Sequence, residues 1–235
     1  MSMADSRGYA RFDEHYPAGP FDLSTVLGMF RDRRDAVMSA DVGRLMDRAT
    51  EELVAQRLTD SMPSVGASVP LFTLPNATGE EVSLERLLTE GPVVLSFYRG
   101  VWCPYCNLEQ RALQQHLPEI TGLGASLAAI SLQVPDDSLT TAQRNGLEFE
   151  VLSDVGGVVS KSYGLVFTLP RELRELYEKL GHPLPAFNGT DDWALPIPAT
   201  FVVDRGGVVR FRFADPDYTR RAAPADILAT LRSIA

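Results

Sequence analysis

Apolar residues recur at helical spacing in the first quarter of the chain. Val26, Leu27, Phe30, Val37, Met38, Val42, Leu45, Met46, Ala49, Leu53 and Val54 fall three, four and seven positions apart between Asp22 and Leu58. That pattern predicts two or more amphipathic helices over a helical extension at 21–62, with Ser24 placed to cap the first. Their stripe needs a surface to cover it. Either it completes the core of the same chain, or it docks on a second copy as the arm of a homodimer. Residues 1–20 ahead of it are polar, carry Pro17, Gly19 and Pro20, and are expected to be mobile.

From about residue 63 to the end at 235 the apolar runs become short and β-branched. "PVVLSFY", "ASLAAISL", "FEVL" and "ATFVV" read as strands. "NLEQRALQQHL", "DSLTTAQRNGL" and "APADILATLRSI" between and after them read as helices, with a break expected at Pro118. Asp204 to Gly207 marks a hairpin turn between two late strands. Strand–helix alternation closed by a hairpin and a helix predicts an α/β fold, a mixed central sheet flanked by helices. An excursion at about 169–195 holds one helix-like run and a Pro-rich loop, the kind of segment that forms lids or interfaces.

Composition narrows the function. There are 22 Lys plus Arg against 31 Asp plus Glu, a formal net charge of −9, which opposes binding to nucleic acid or an anionic membrane. No apolar run reaches the ~18 residues that span a bilayer, and the start has no apolar signal core. The expectation is a cytoplasmic protein in a reducing compartment. There, two close cysteines point to redox chemistry or metal binding before a structural staple.

The only cysteines are Cys103 and Cys106, in "SFYRGVWCPYCNLEQRAL". They sit where a buried strand hands over to a helix. Unpaired backbone N–H groups and the helix dipole stabilise a thiolate there. One sulfur can attack and the other resolve the product as a disulfide. A zinc half-site would need two more ligands, and His15, His116 and His182 offer no pair at ligand spacing. Two inert buried thiols are the remaining alternative. No cofactor or metal is expected.

"FYRGVWCPYC" resembles the active-site segment of the peroxiredoxin (alkyl hydroperoxide reductase / thiol-specific antioxidant) family of the thioredoxin superfamily. The family's Phe-Tyr falls on Phe97 and Tyr98, its Pro on Arg99, its Thr on Cys103 and its peroxidatic Cys on Cys106. "GASVPLFTLPNATGEEVSLERLL", "LGASLAAISLQVPD" and "ATFVVDRGGVV" resemble other parts of the same domain. The resemblance implies a thioredoxin-like fold over 63–235 and a thiol peroxidase reducing hydrogen peroxide or organic hydroperoxides, recycled by a thioredoxin-like donor. It departs from the family at Arg99 and Cys103. It departs again at Pro198, which stands where the family often has an Arg. Arg99 is therefore the candidate cation, and Trp102 a candidate shield. "WCPYC" with "IPATF" also resembles thioredoxin-like disulfide oxidoreductases, which would make Pro198 a cis-proline facing the sulfurs and bring Thr200 near them. Peroxide attack then belongs to Cys106 with Cys103 as partner. Attack on protein or small disulfides would belong to Cys103, and a redox-sensing binding domain is the third reading.

Overall fold

A computed structural model describes residues 16–17 and 19–234. The mobile segment expected at 1–20 therefore lies mostly outside the described residues. Two helices come first, α1 (Leu23–Val37) and α2 (Ala40–Ala55). The small pair β1 (Thr73–Pro75) and β2 (Glu81–Ser83) leads into α3 (Leu84–Glu90). Then follow β3 (Val93–Phe97), α4 (Pro104–Gly122), β4 (Ser126–Ser131), α5 (Pro135–Asn145), β5 (Glu150–Ser153) and α6 (Val158–Ser162). The excursion contributes β6 (Val166–Thr168), α7 (Arg171–Lys179), α8 (Leu184–Asn188) and β7 (Ala194–Pro196). The chain closes with β8 (Ala199–Val203), β9 (Val209–Ala214) and α9 (Pro224–Ile234).

Five strands form the central sheet in the order β5-β4-β3-β8-β9. β3 runs parallel to β4 and antiparallel to β8, with Phe97 opposite both Ile130 and Ala199. All five residues of β3 and of β8 are buried. This is why both read as unbroken apolar runs: strands covered on both faces have no solvent side. The β8–β9 turn forms at the expected residues, with the Asp204 carboxylate accepting from the N–H groups of Gly206 and Val208.

The first helix of the extension packs on its own chain. Leu23, Val26, Leu27 and Phe30 of α1 share one core with Cys103, Tyr105 and Cys106. Phe30 meets Tyr105 edge-on at 6.5 Å between ring centroids. The α1 part of the stripe is thus covered within its own chain, and it roofs the cysteine segment.

Three local expectations change. α1 starts one residue before Ser24 and is capped by Asp22, whose carboxylate accepts from Thr25 N–H at 2.7 Å. A carboxylate satisfies that orphan donor and suits the positive end of the dipole. α4 runs through Pro118 without breaking, because Pro118 is on the exposed face and its missing N–H costs no buried bond. The excursion is anchored: Leu173, Leu176 and Tyr177 of α7 are buried, and β6 pairs antiparallel with β7.

Replacing Phe30 by Ala is expected to lower unfolding stability by about 3–5 kcal/mol in denaturant melts. It should also speed labelling of the two buried thiols by a thiol reagent. Met29→Ala, at a position 63% exposed on the same helix, should change neither.

Candidate active site

The site is built at the carboxyl end of β3. Tyr98 donates its N–H to the Ile130 carbonyl, and the chain then turns away through Arg99 and Gly100. Gly100 has φ +149°, and a Cβ there would lie 2.5 Å from Trp102 Nε1 and 2.9 Å from Gln133 Oε1. No other residue fits that approach. Val101 N–H donates to Gln133 Oε1 at 2.7 Å, and Asn107 Nδ2 donates to the Val101 carbonyl at 2.8 Å. These bonds pin the loop to β4's end and to α4. Cys103 is then the N-cap of α4, Pro104 its first residue, and Cys106 lies one turn in.

Both thiols are free and buried. Cys106 Sγ receives two donors: Arg99 N–H at 3.4 Å and Arg221 Nη2 at 3.2 Å. Arg221 also binds Glu109 Oε2 through Nε at 2.5 Å, with both side chains almost wholly buried (1% and 3% exposed). Its Nη1 donates to the carbonyls of Tyr218 and Arg220. Thr200 Oγ1 donates to Glu109 Oε1 at 3.5 Å. Glu109 is three residues after Cys106, so helix geometry places both on one face.

The two sulfurs share one negative charge. Burial opposes any thiolate at Cys103, but the hydrogen bond from Cys106 and the charges of Arg99 and Arg221 outweigh it and bring Cys103 down to about 6. Burial, then the bond to Cys103 and its charge, push Cys106 well up despite Arg221 and Arg99. Burial lifts Glu109 to about 7 against the pull of Arg221. The resting site therefore holds one thiolate and one thiol at neutral pH.

Arg99 is the site's second cation, arranged differently from expectation. It acts on Cys106 through its backbone, while the guanidinium is boxed by aromatic rings. Its Cζ lies 4.6 Å from the Tyr218 ring centroid, 5.1 Å from Trp102 and 5.8 Å from Tyr177, and Nη2 donates to the Tyr177 hydroxyl. Trp102 is buried, stacked on His182 at 5.3 Å and edge-on to Tyr177 at 5.5 Å. Burial holds His182 down at about 4, so it is neutral.

Pro198 corrects the sequence reading. Among the described residues there is no cis peptide bond. β7 and β8 follow one another through Ile197 and Pro198, and Ile197 N–H bonds to Leu165 at 2.8 Å; an extended trans link satisfies this path. The side-chain cation on the sulfur does not come from the segment around Pro198. It is Arg221, from the loop between β9 and α9. Thr200 reaches Glu109 rather than the sulfurs. His116 is spent on its own helix, with Nδ1 against the Ala112 carbonyl at 2.8 Å. Arg221, Glu109, Tyr177 and Tyr218 were missed. Only Glu109 had a signal, its spacing from Cys106.

Comparison with known proteins gives a consistent result. Residues 65–212 match the model of the AhpC/TSA family. Over 152 residues the chain is 30% identical to "Alkyl hydroperoxide reductase E" of Mycobacterium tuberculosis, covering 64% of this chain and 84% of that protein. It is 30% identical over 147 residues to the chloroplastic peroxiredoxin Q of Suaeda salsa, covering 63% of this chain and 58% of that one. Among solved structures, peroxidoxin BcpB from Mycobacterium tuberculosis superposes with a TM-score of 0.58 at 26% identity, over 74% of this chain and 99% of that one. The family match ends before Arg221 and begins after α1 and α2.

Thiolate absorbance at 240 nm is expected to show one thiolate per chain, appearing with a midpoint near pH 6. Arg221→Gln removes positive charge from beside the sulfurs, which disfavours the thiolate and should raise the midpoint by about one pH unit or more. A midpoint left in place would detach Arg221 from the thiol pair.

Proposed function

The chain belongs to the AhpC/TSA family, a thioredoxin-fold family of thiol-dependent peroxidases, and from that premise we propose that Cys106 attacks the hydroperoxide and Cys103 resolves the product. One observation carries the choice of sulfur: the two hydrogen-bond donors of the site, Arg99 N–H and Arg221 Nη2, converge on Cys106. Donors aimed at the reacting sulfur are also placed to hold the charge that develops on the peroxide oxygens beside it.

The Cys106 thiolate attacks one oxygen of the peroxide. A sulfur–oxygen bond forms, the O–O bond breaks, and the departing oxygen takes the proton then held by Cys103 to leave as water or alcohol, which returns Cys103 to the thiolate. Cys106 is now a sulfenic acid. The Cys103 thiolate attacks that sulfur, expels hydroxide, which is protonated to water, and forms the disulfide. A thioredoxin-type dithiol returns two electrons and two protons. The starting thiolate is reached by passing the Cys106 proton along its hydrogen bond to Cys103.

A second reading has its own observation. Cys103 is the sulfur whose pKa is lowered, so it carries the charge at rest. In that reading Cys103 attacks and Cys106 resolves. The family match favours peroxide chemistry over disulfide exchange or redox sensing in either case. A reducing cytoplasm suits a dithiol that must be returned to the thiol state. A homodimer would need a surface other than the α1 stripe, which is already covered.

Stopped-flow oxidation by hydrogen peroxide and by cumene hydroperoxide separates the readings. Fast oxidation that survives Cys103→Ser and is lost, by a hundredfold or more, in Cys106→Ser is the expected result. The reverse pattern moves attack to Cys103. Reactivity no better than a free thiol in all three proteins would remove the peroxidase reading itself.

A further inference from the structure

A cleft opens between α2 and the β6–α7 segment. Met46, Ala49 and Leu53 form the apolar part of one wall, which also carries Thr50 and the exposed Glu52 and Gln56; Phe167 and Leu173 form the other, with Ile197 and Pro198 also lining the cleft. Its base is different in kind: Arg99, Tyr177 and Tyr218 line it together. Neither cysteine lines the cleft, but Arg99 reaches both places, with its backbone on Cys106 and its side chain at the base of the cleft. The walls come from the helical extension and the excursion, largely outside the ordinary sheet and helices of the fold.

The cation at the base has no carboxylate of its own among the described residues. Arg99 is buried and remains a cation. Among the described residues no carboxylate pairs with it, and its Nε has no hydrogen-bond partner. The other guanidinium groups buried around the site do have carboxylates: Arg221 has Glu109, and Arg34 has Asp35 and Asp47. The anion acting on Arg99 is the thiolate, which oxidation of the pair removes. A buried cation with an unused donor is costly unless an anion meets it. The hydroxyls of Tyr177 and Tyr218 each accept a bond from an arginine, Arg99 and Arg34, which leaves their own protons to donate. A planar anion entering the cleft would meet three donors.

We infer that this cleft binds an apolar monocarboxylate, with its alkyl or aryl body between α2 and the β6–α7 segment and its carboxylate on Arg99, Tyr177 and Tyr218. The apolar stretch of Met46, Leu53, Phe167 and Leu173 disfavours a small hydrophilic anion as the preferred ligand, because only burial of a hydrocarbon body uses it. The cation excludes an uncharged chain as the equal of a charged one. The site stands whichever sulfur attacks peroxide, since occupancy is read without turnover.

Octanoate titrated calorimetrically into the full chain is the direct test, with octan-1-ol and acetate as the tail-only and head-only probes. Saturable one-to-one binding of octanoate is expected, at least about tenfold tighter than octan-1-ol, with no saturation by acetate. Arg99→Gln should weaken octanoate about tenfold or more. Ala49→Trp, which fills the α2 side of the cleft, should weaken it similarly. Thermal melts establish that each variant is folded; should Arg99→Gln fail to fold, Ala49→Trp and the octanol comparison decide. Absence of saturation by octanoate, equal binding of octanoate and octan-1-ol, or an affinity unmoved by the substitutions would overturn the site.

Discussion

The guanidinium of Arg221, held between Glu109 and the sulfur of Cys106, is the contact around which the site is organised. A buried ion pair is expensive to desolvate and gains little over an apolar pair of the same shape. Removing one member, however, leaves the other charged and unpaired, at a cost of about 3–5 kcal/mol. The surrounding structure must therefore deliver both partners together. α4 supplies Cys106 and Glu109 from one face. The loop after β9 supplies Arg221, and the carbonyls of Tyr218 and Arg220 hold its free edge. Thr200, on the central strand β8, reaches the other carboxylate oxygen.

Burial gives those charges their strength. α1 lies over the first turn of α4, and Phe30, Tyr105 and the cysteines share one core. At lower local dielectric the same two guanidinium groups act more strongly on a sulfur than they would in water. Burial alone would keep both thiols protonated; the hydrogen bond from Cys106 first, and then these two charges, bring Cys103 down to about 6. The extension is thus electrostatic in effect as well as structural. It keeps water away from a site whose charges balance only when one thiolate is present.

The strands were legible because they are buried on both faces. "PVVLSFY" and "ATFVV" had to be strands in a sheet covered on each side, and they became β3 and β8. The cysteine pair was legible because a strand-to-helix junction has a fixed chemistry. Glu109 was within reach of the same logic, at i+3 from Cys106. Arg221 was not. It lies in a loop, in "YTRRAAP", where no period relates it to anything and only tertiary packing decides that it, and not Arg220, turns inward. Tyr177 belongs to a helix whose buried stripe was visible, but nothing in the stripe says that its hydroxyl meets Arg99. Pro198 shows the opposite error. A proline before a late strand fitted a cis bond by resemblance, whereas the β7-to-β8 path calls for an extended trans link.

The unequal ionisation of the two sulfurs is what a dithiol peroxidase needs. Peroxide cleavage consumes a thiolate and requires a proton for the departing oxygen. Two thiolates would lack that proton and would repel one another; two thiols would lack the nucleophile. With one proton shared between Cys103 and Cys106, both requirements are met before substrate arrives. If that proton goes to the departing oxygen, the remaining sulfur becomes a thiolate at the moment the first becomes a sulfenic acid. It is then in the state required to close the disulfide. Equal pKa values near the free-thiol range would leave most chains with neither charge at neutral pH. In the proposed cycle the coupling between the sulfurs, set by the hydrogen bond between them and then by the charges of Arg99 and Arg221, would serve both halves of the reaction.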